Sequence, residues 1–316
     1  MCSLFGIIDY KNSLPAFARR TILRVLSQEC EVRGTDATGI AYVSNDGMHV
    51  YKRPVAASKF KFTLPRESHM VIGHTRMTTK GSQDINSNNH PFYGRVPGGR
   101  FALAHNGVLN NDEYLRRTMD LPNTSIETDS YIAVQLLEHY GEITFDSIAK
   151  MAETVSGSFC FSILTDTNDL YLVKGSNPLV IYECGGYYLY ASTADILDKT
   201  LKRLHIHKKS SVDIKSGEIV KISADGSISR GSFDNEDYGY SFYPYWSRYD
   251  DSDIDDTELD TLIRCAGYFG FDESDILMLV DLGYDALEIE EMLYDPFSMR
   301  AIVGEYRDMM ACEYGG

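Results

Sequence analysis

Short apolar runs alternate with polar, glycine-rich breaks through the first 232 residues. Strand-like runs occupy residues 4–8, 39–43, 69–72, 101–104, 159–164, 169–173, 179–183, 187–191 and 218–222. Several alternate apolar with polar positions, the signature of a half-buried strand. Helical spacing of apolar residues predicts helices over residues 16–29, 128–140 and 145–155. In the second, Asp129 falls in the first turn and Gly141 stands where a helix C-cap belongs. Many strands with helices in separate blocks predict a layered α+β fold rather than βαβ repeats on a parallel sheet.

The pattern changes at residue 233. Residues 233–256 are rich in Tyr, Asp and Ser with few aliphatics, and read as an acidic linker whose tyrosines could instead dock on the first domain. Residues 257–316 then carry three apolar stripes at helical spacing. They are Leu259, Leu262, Ile263 and Ala266; Ile276, Leu279 and Val280 before Gly283; and Leu287, Ile289, Met292 and Leu293 before Asp295-Pro296. Such stripes predict a small helical module, marginal on its own.

Charge sharpens this division. The net charge is −16, yet residues 233–316 hold 22 acidic residues against four arginines and no lysine, or −18. Residues 1–232 carry +2. Nucleic acid and anionic membrane are therefore disfavoured as partners of the acidic quarter. No run approaches the ~18 apolar residues of a membrane span, and the N-terminus has no secretory pattern. Six scattered cysteines without a C-x-x-C pair fit reduced thiols and a cytoplasmic setting. No phosphate-binding P-loop or dinucleotide glycine motif appears, and no cofactor is expected.

The candidate chemistry begins at Cys2. With Met1 removed, Cys2 would carry a thiol and a free α-amine on one residue. A free α-amine titrates at about 7.7–8.0, so a large share is neutral near pH 7 and can take the thiol proton. Five polar segments follow: Arg33-Gly34-Thr35-Asp36, Gly73-His74-Thr75-Arg76 through Gly81, Asn88-Asn89-His90-Pro91, His105-Asn106-Gly107, and Glu127-Thr128-Asp129. All five are polar and irregular where a core would be apolar. Asn106-Gly107 alone would be an ordinary hairpin turn. Arg76 alone would be a surface ion-pair partner, and Asp129 a helix N-terminal acid. The spacing of His74, His90 and His105 lacks the close ligand pairs of zinc sites, so no metal is expected.

Taken in order, these motifs resemble the class II glutamine amidotransferases, over roughly residues 1–222. The resemblance implies a four-layer α/β/β/α N-terminal-nucleophile sandwich over residues 1–232, with the helical module as an appendage. It implies hydrolysis of L-glutamine to L-glutamate and ammonia through a Cys2 thioester. Asn106 and Gly107 would hold the oxyanion. Arg76 and Thr79 would hold the substrate carboxylate, Asp129 its ammonium, and His90 would line the substrate site. Arg33 and Asp36 would support the loop under Cys2. Two positions depart from the family: Lys80 stands where sugar-phosphate-forming members often have histidine, and Met77 where they often have tryptophan. Nothing after residue 232 resembles the family's fused synthases. A separate ammonia-accepting synthase is therefore the expected partner, with a homo-oligomer also compatible. Two other readings share the fold: an amidohydrolase for another γ-glutamyl amide, and a non-catalytic scaffold.

Overall fold

Cys2 leads straight into β1 (Ser3–Ile8), whose six residues are all buried. Leu4 and Ile8 pack into one apolar cluster, Phe5 and Ile7 into another, so the strand is covered on both faces. Each of these side chains stabilises the fold by about 1.5–3 kcal/mol on burial. That fixes the segment presenting Cys2.

The computed structural model describes residues 2–234 and, beyond them, 259, 262–263, 266, 271–285, 288–289, 292–293, 299–300, 302–304 and 307. The chain divides into two units, Met1–Asp237 and Tyr238–Gly316. In the first unit, β1 is followed by α1 (Ala16–Glu29), β2 (Ala37–Ser44), β3 (Gly47–Arg53), β4 (Met70–Arg76), β5 (Phe92–Val96) and β6 (Gly99–Leu109). Then come α2 (Asp112–Thr118), α3 (Tyr131–Tyr140), α4 (Phe145–Thr154), β7 (Gly157–Thr165), β8 (Leu170–Lys174), β9 (Val180–Glu183) and β10 (Tyr188–Ala191). The unit ends with α5 (Ala194–Leu204), β11 (Ser210–Val212), β12 (Glu218–Ile222) and β13 (Ile228–Ser232).

Two antiparallel sheets result, ordered β11-β9-β10-β1-β4-β2-β3 and β13-β12-β8-β7-β6-β5. Three apolar clusters separate four layers. Leu4, Ile72, Ala104 and Leu172 meet between the sheets. Phe5 and Ile7 face Leu23 and Leu26 of α1 and Leu197 of α5. Phe101, Leu103 and Phe161 face Ile132 and Leu136 of α3 and Ile148 of α4. This is the α/β/β/α sandwich that the resemblance implied.

The local signals explain most boundaries. Pro15 precedes α1, and its fixed φ of −65° leads the chain into the first turn. Thr144 and Ser147 form a reciprocal capping box at the start of α4. Gly141 ends α3 in the left-handed conformation at φ +78°. The second expected helix starts later than its spacing suggests, at Tyr131, and leaves Asp129 ahead of it. Strands β3, β5, β11 and β13 and helices α2 and α5 had no counterpart among the expected elements. The strands are edge strands or neighbours of edges, with one face in water and weak apolar alternation. Among the polar segments, Cys30–Arg33 is a 3-10 turn, residues 73–76 close β4 with 77–81 following as a loop, and residues 105–109 close β6.

Phe233, at the head of the expected linker, packs its ring 5.9 Å from Phe159 in the first unit's core. The rest of that linker lies outside the described residues. In the second unit, α6 (Glu273–Asp281) is capped by Asp272 and Asp275. Ile276, Leu279, Ile289 and Leu293 of the expected stripes are buried. Met299 and Val303 are helical and buried too, beyond the stripes read from sequence.

One buried ion pair pins the end of β1. Asp9 Oδ2 lies 3.0 Å from Arg19 Nη1, with both side chains out of water. The same carboxylate accepts the Ser13 and Leu14 amide hydrogens at 2.9 and 3.1 Å. Asp9→Ala leaves the Arg19 guanidinium buried without its counter-charge. It should cost about 3–5 kcal/mol in urea unfolding. A loss below about 1 kcal/mol would show that the pair carries little of the fold.

Candidate active site

Ser3 lies opposite Thr75 and Leu4 opposite His74, so β1 and β4 run side by side. Cys2 continues from the end of this pair and Arg76 closes β4. Arg33 Nε donates to the Cys2 carbonyl at 2.9 Å, and the thiol donates to the Met77 carbonyl at 3.4 Å. Burial pushes the Cys2 thiol pKa up, against the pull of the positive chain terminus and of the Arg76 and Arg33 guanidiniums. The net upward shift keeps sulfur protonated at neutral pH, so attack needs a base.

Arg76 is only 2% exposed. Its Nη1 donates to Asn89 Oδ1 at 2.8 Å, and Nη2 donates to the Lys80 and Gly81 carbonyls at 2.6 and 3.0 Å. Burial works against its charge, while the carboxylates of Asp36, Asp129 and Glu127 support it. Three carboxylates from two separate segments therefore act on one guanidinium. Its Nη donors already grip the loop that follows it.

That loop has further anchors. Asp36 Oδ2 accepts the Thr78 amide hydrogen at 2.7 Å, and the Asp36 amide donates to the Arg76 carbonyl at 2.9 Å. Lys80 Nζ meets both Asp112 oxygens at 3.1 Å. Thr79 is exposed within the loop. Glu127 joins the loop to the Asn88 segment: its Oε2 accepts from Asn88 Nδ2 at 2.8 Å and from the Ser82 amide at 3.3 Å.

Across from this, β6 carries Asn106 and Gly107. Asn177 Nδ2 donates to the Asn106 carbonyl at 2.8 Å and holds that peptide in place. The Asn106 Nδ2 group is buried and has no hydrogen-bond partner in the protein. Gly107 sits at φ +140°, and a Cβ there would lie 1.9 Å from the Ser158 carbonyl oxygen, so the position admits only glycine. Asp129 Oδ2 accepts the Leu109 amide hydrogen at 2.6 Å, tying the residue before α3 to the end of β6.

The three histidines gather beneath the site. The His74 and His90 ring centroids are 4.1 Å apart, and His105 stacks on Phe161 at 4.8 Å. Lys52 Nζ clamps the His90 segment through the Asn89 carbonyl and, at 3.1 Å, the Pro91 carbonyl. Burial first, and the Arg76 charge with it, pushes the His74 and His90 pKa values well below the ordinary histidine value. Burial also lowers His105, against the pull of Asp129. No group of metal-ligating side chains occurs among the described residues.

Arg33 and Asp36, expected as supports, do hold the Cys2 carbonyl and the loop after Arg76, but the other groups that anchor the expected site residues were not read from sequence. Asn88, Asn89 and Glu127 lie inside the motifs, where their polarity in apolar surroundings was the available signal. Lys52 and Asn177 lie outside every motif, and no local pattern marks them.

The histidine shifts have a sign. A folded pKa below the unfolded value means the unfolded chain takes up protons first as pH falls. These groups therefore cost no stability above about pH 6.5 and weaken the fold progressively below it. Imidazole NMR signals of His74 and His90 should still hold their neutral positions at the ordinary histidine midpoint near about 6.5, where free imidazoles are half protonated. A midpoint in either at the ordinary histidine value would overturn this.

A family model described as a glutamine amidotransferase domain matches residues 74–199. The glutamine–fructose-6-phosphate aminotransferase (isomerizing) of Staphylococcus aureus strain N315 is 32% identical over 239 residues, 72% of this chain and 38% of the relative. The protein of the same description from Staphylococcus epidermidis ATCC 12228 is 32% identical over 235 residues, 69% of this chain and 38% of its own length. The chain thus spans 38% of the length of these curated relatives. A solved glutamine phosphoribosylpyrophosphate amidotransferase from B. subtilis, complexed with ADP and GMP, has a TM-score of 0.59 at 22% identity, over 73% of this chain and 49% of that chain. At that identity the likeness is one of fold, and it falls on the same sandwich. By its family match, its curated relatives and this shared fold, the chain belongs to the class II glutamine amidotransferases, through a first unit of the N-terminal-nucleophile hydrolase type.

Proposed function

We propose that the first unit hydrolyses L-glutamine to L-glutamate and ammonia with Cys2 as nucleophile. The observation that carries this reading is the Asn106 carboxamide: its Nδ2 is a buried donor without a protein partner, on a strand whose backbone Asn177 fixes. A buried donor left unpaired costs about 1–3 kcal/mol. It suits a site where negative charge appears only during reaction.

The steps follow from the groups present. Met1 is removed, and the neutral α-amine of Cys2 takes the thiol proton. Sulfur bonds to the side-chain carbonyl carbon, and the carbonyl electron pair moves to oxygen. Asn106 Nδ2 and the Gly107 N–H donate to that oxyanion. As it collapses, the C–N bond breaks, and the nitrogen takes the proton back from the ammonium and leaves as ammonia. Water then cleaves the thioester, releasing glutamate and the thiol. Asp129 holds the substrate ammonium. Arg76 and Thr79 hold its carboxylate, with Arg76 exchanging the Lys80 and Gly81 carbonyls for carboxylate oxygens. His90 lines the pocket, and Arg33 and Asp36 brace Cys2 and the loop after Arg76.

The ammonia passes to a synthase on another chain, with the −18 segment from residue 233 as the docking element. Removal of residues 238–316 should leave glutamine turnover intact and weaken binding to that acceptor. Unchanged affinity would remove the segment from this role.

Intact mass should show loss of Met1 and one adduct on Cys2 after 6-diazo-5-oxo-L-norleucine. Cys2→Ala should have no glutaminase activity, and Asn106→Ala should lose about 10²–10³ in kcat. Full turnover by Cys2→Ala would sink the reading.

A further inference from the structure

His74 is fully buried and has no part in the steps above. It lies on β4, opposite Leu4 of β1 on one side and Gly39 of β2 on the other. Its Nε2 reaches out of that sheet to the His105 carbonyl on β6, at 2.9 Å. A carbonyl oxygen can only accept, so Nε2 carries the proton and Nδ1 is bare in the neutral ring. The His105 peptide leads directly into Asn106. The His105 ring continues the path, with Nδ1 at 2.7 Å from Ser130 Oγ, beside Asp129.

We propose that His74 is a positioning residue for the oxyanion donors, its Nε2–H tying the sheet that presents Cys2 to the β6 backbone just before Asn106. The inference rests on the glutaminase reading. Asn177 holds the Asn106 carbonyl from one side, and His74 holds the preceding carbonyl from the other. Two adjacent peptides gripped in this way leave little freedom to the Asn106 carboxamide and the Gly107 N–H. The distance between nucleophile and oxyanion donors is then a property of the two sheets rather than of a loop. Neutrality suits the role. Burial and the Arg76 charge keep the ring from taking a second proton, so the bond keeps one donor at one fixed place. A positively charged ring here would instead repel Arg76.

The test compares His74→Phe, which keeps ring bulk against His90 but lacks the donor, with His74→Gln, whose amide can still donate. Wild type, both variants and their melting temperatures are measured together. His74→Phe should lose roughly 10- to 100-fold in kcat. Its KM for glutamine should change by less than about twofold, because the substrate carboxylate and ammonium contacts remain. His74→Gln should recover most of the loss. Should His74→Phe fail to fold, His74→Met replaces it with the same expectation. Unchanged kcat in the donor-free variant overturns the inference and leaves the glutaminase reading standing. So does a kcat loss that follows melting temperature and is not rescued by Gln, which would make the role merely structural. A wild-type protein that processes Met1 but does not hydrolyse glutamine overturns the parent reading, and this inference with it.

Discussion

One positive charge taken out of water organises the site. Arg76 ends β4 inside the protein, where an unpaired guanidinium would cost several kcal/mol. The surroundings answer it with Asn89 and two loop carbonyls by hydrogen bond, and with Asp36, Asp129 and Glu127 by charge. The segments that supply these partners are far apart in sequence. Satisfying one buried cation therefore assembles most of the loops that surround the nucleophile.

The same charge sets the protonation states around it. It helps hold His74 and His90 neutral and pulls against the burial that keeps the Cys2 thiol protonated. The result is an uncharged Cys2 thiol beside uncharged imidazoles. In the proposed reaction the α-amine would therefore serve as base, and the buried Asn106 donor would gain its partner only as the oxyanion forms.

Rigidity comes from the layers. Cys2 is the first residue before a strand covered on both faces, and Asn106 lies well inside the longest strand of the other sheet. The loop after Arg76 is held instead by polar anchors, namely Asp36, Asp112 and Glu127. Polar anchors can be exchanged one for another at modest cost, whereas packed strands cannot shift without opening cavities. The loop is accordingly the more adjustable part, whereas the spacing of Cys2 from Asn106 is a matter for the sheets.

The sequence by itself determined the residue types of the site, their order, and the layered class of the fold. An unbroken apolar run such as Leu4–Ile8 records a segment buried on both faces, and that record is local. The sequence also placed α1 at both ends, Ala16 and Glu29. The tertiary structure decided the rest. Asp129 sits ahead of α3 because its carboxylate is claimed by the Leu109 amide on β6. His74 and His105 lie in strands because each has a neighbour to pair with. Lys52 and Asn177 matter through carbonyls that no spacing rule connects to them. The physical reason is common to all of these. Burial of an apolar face is written in the chain's own period, but a buried polar group takes whatever partner the folded backbone brings to it.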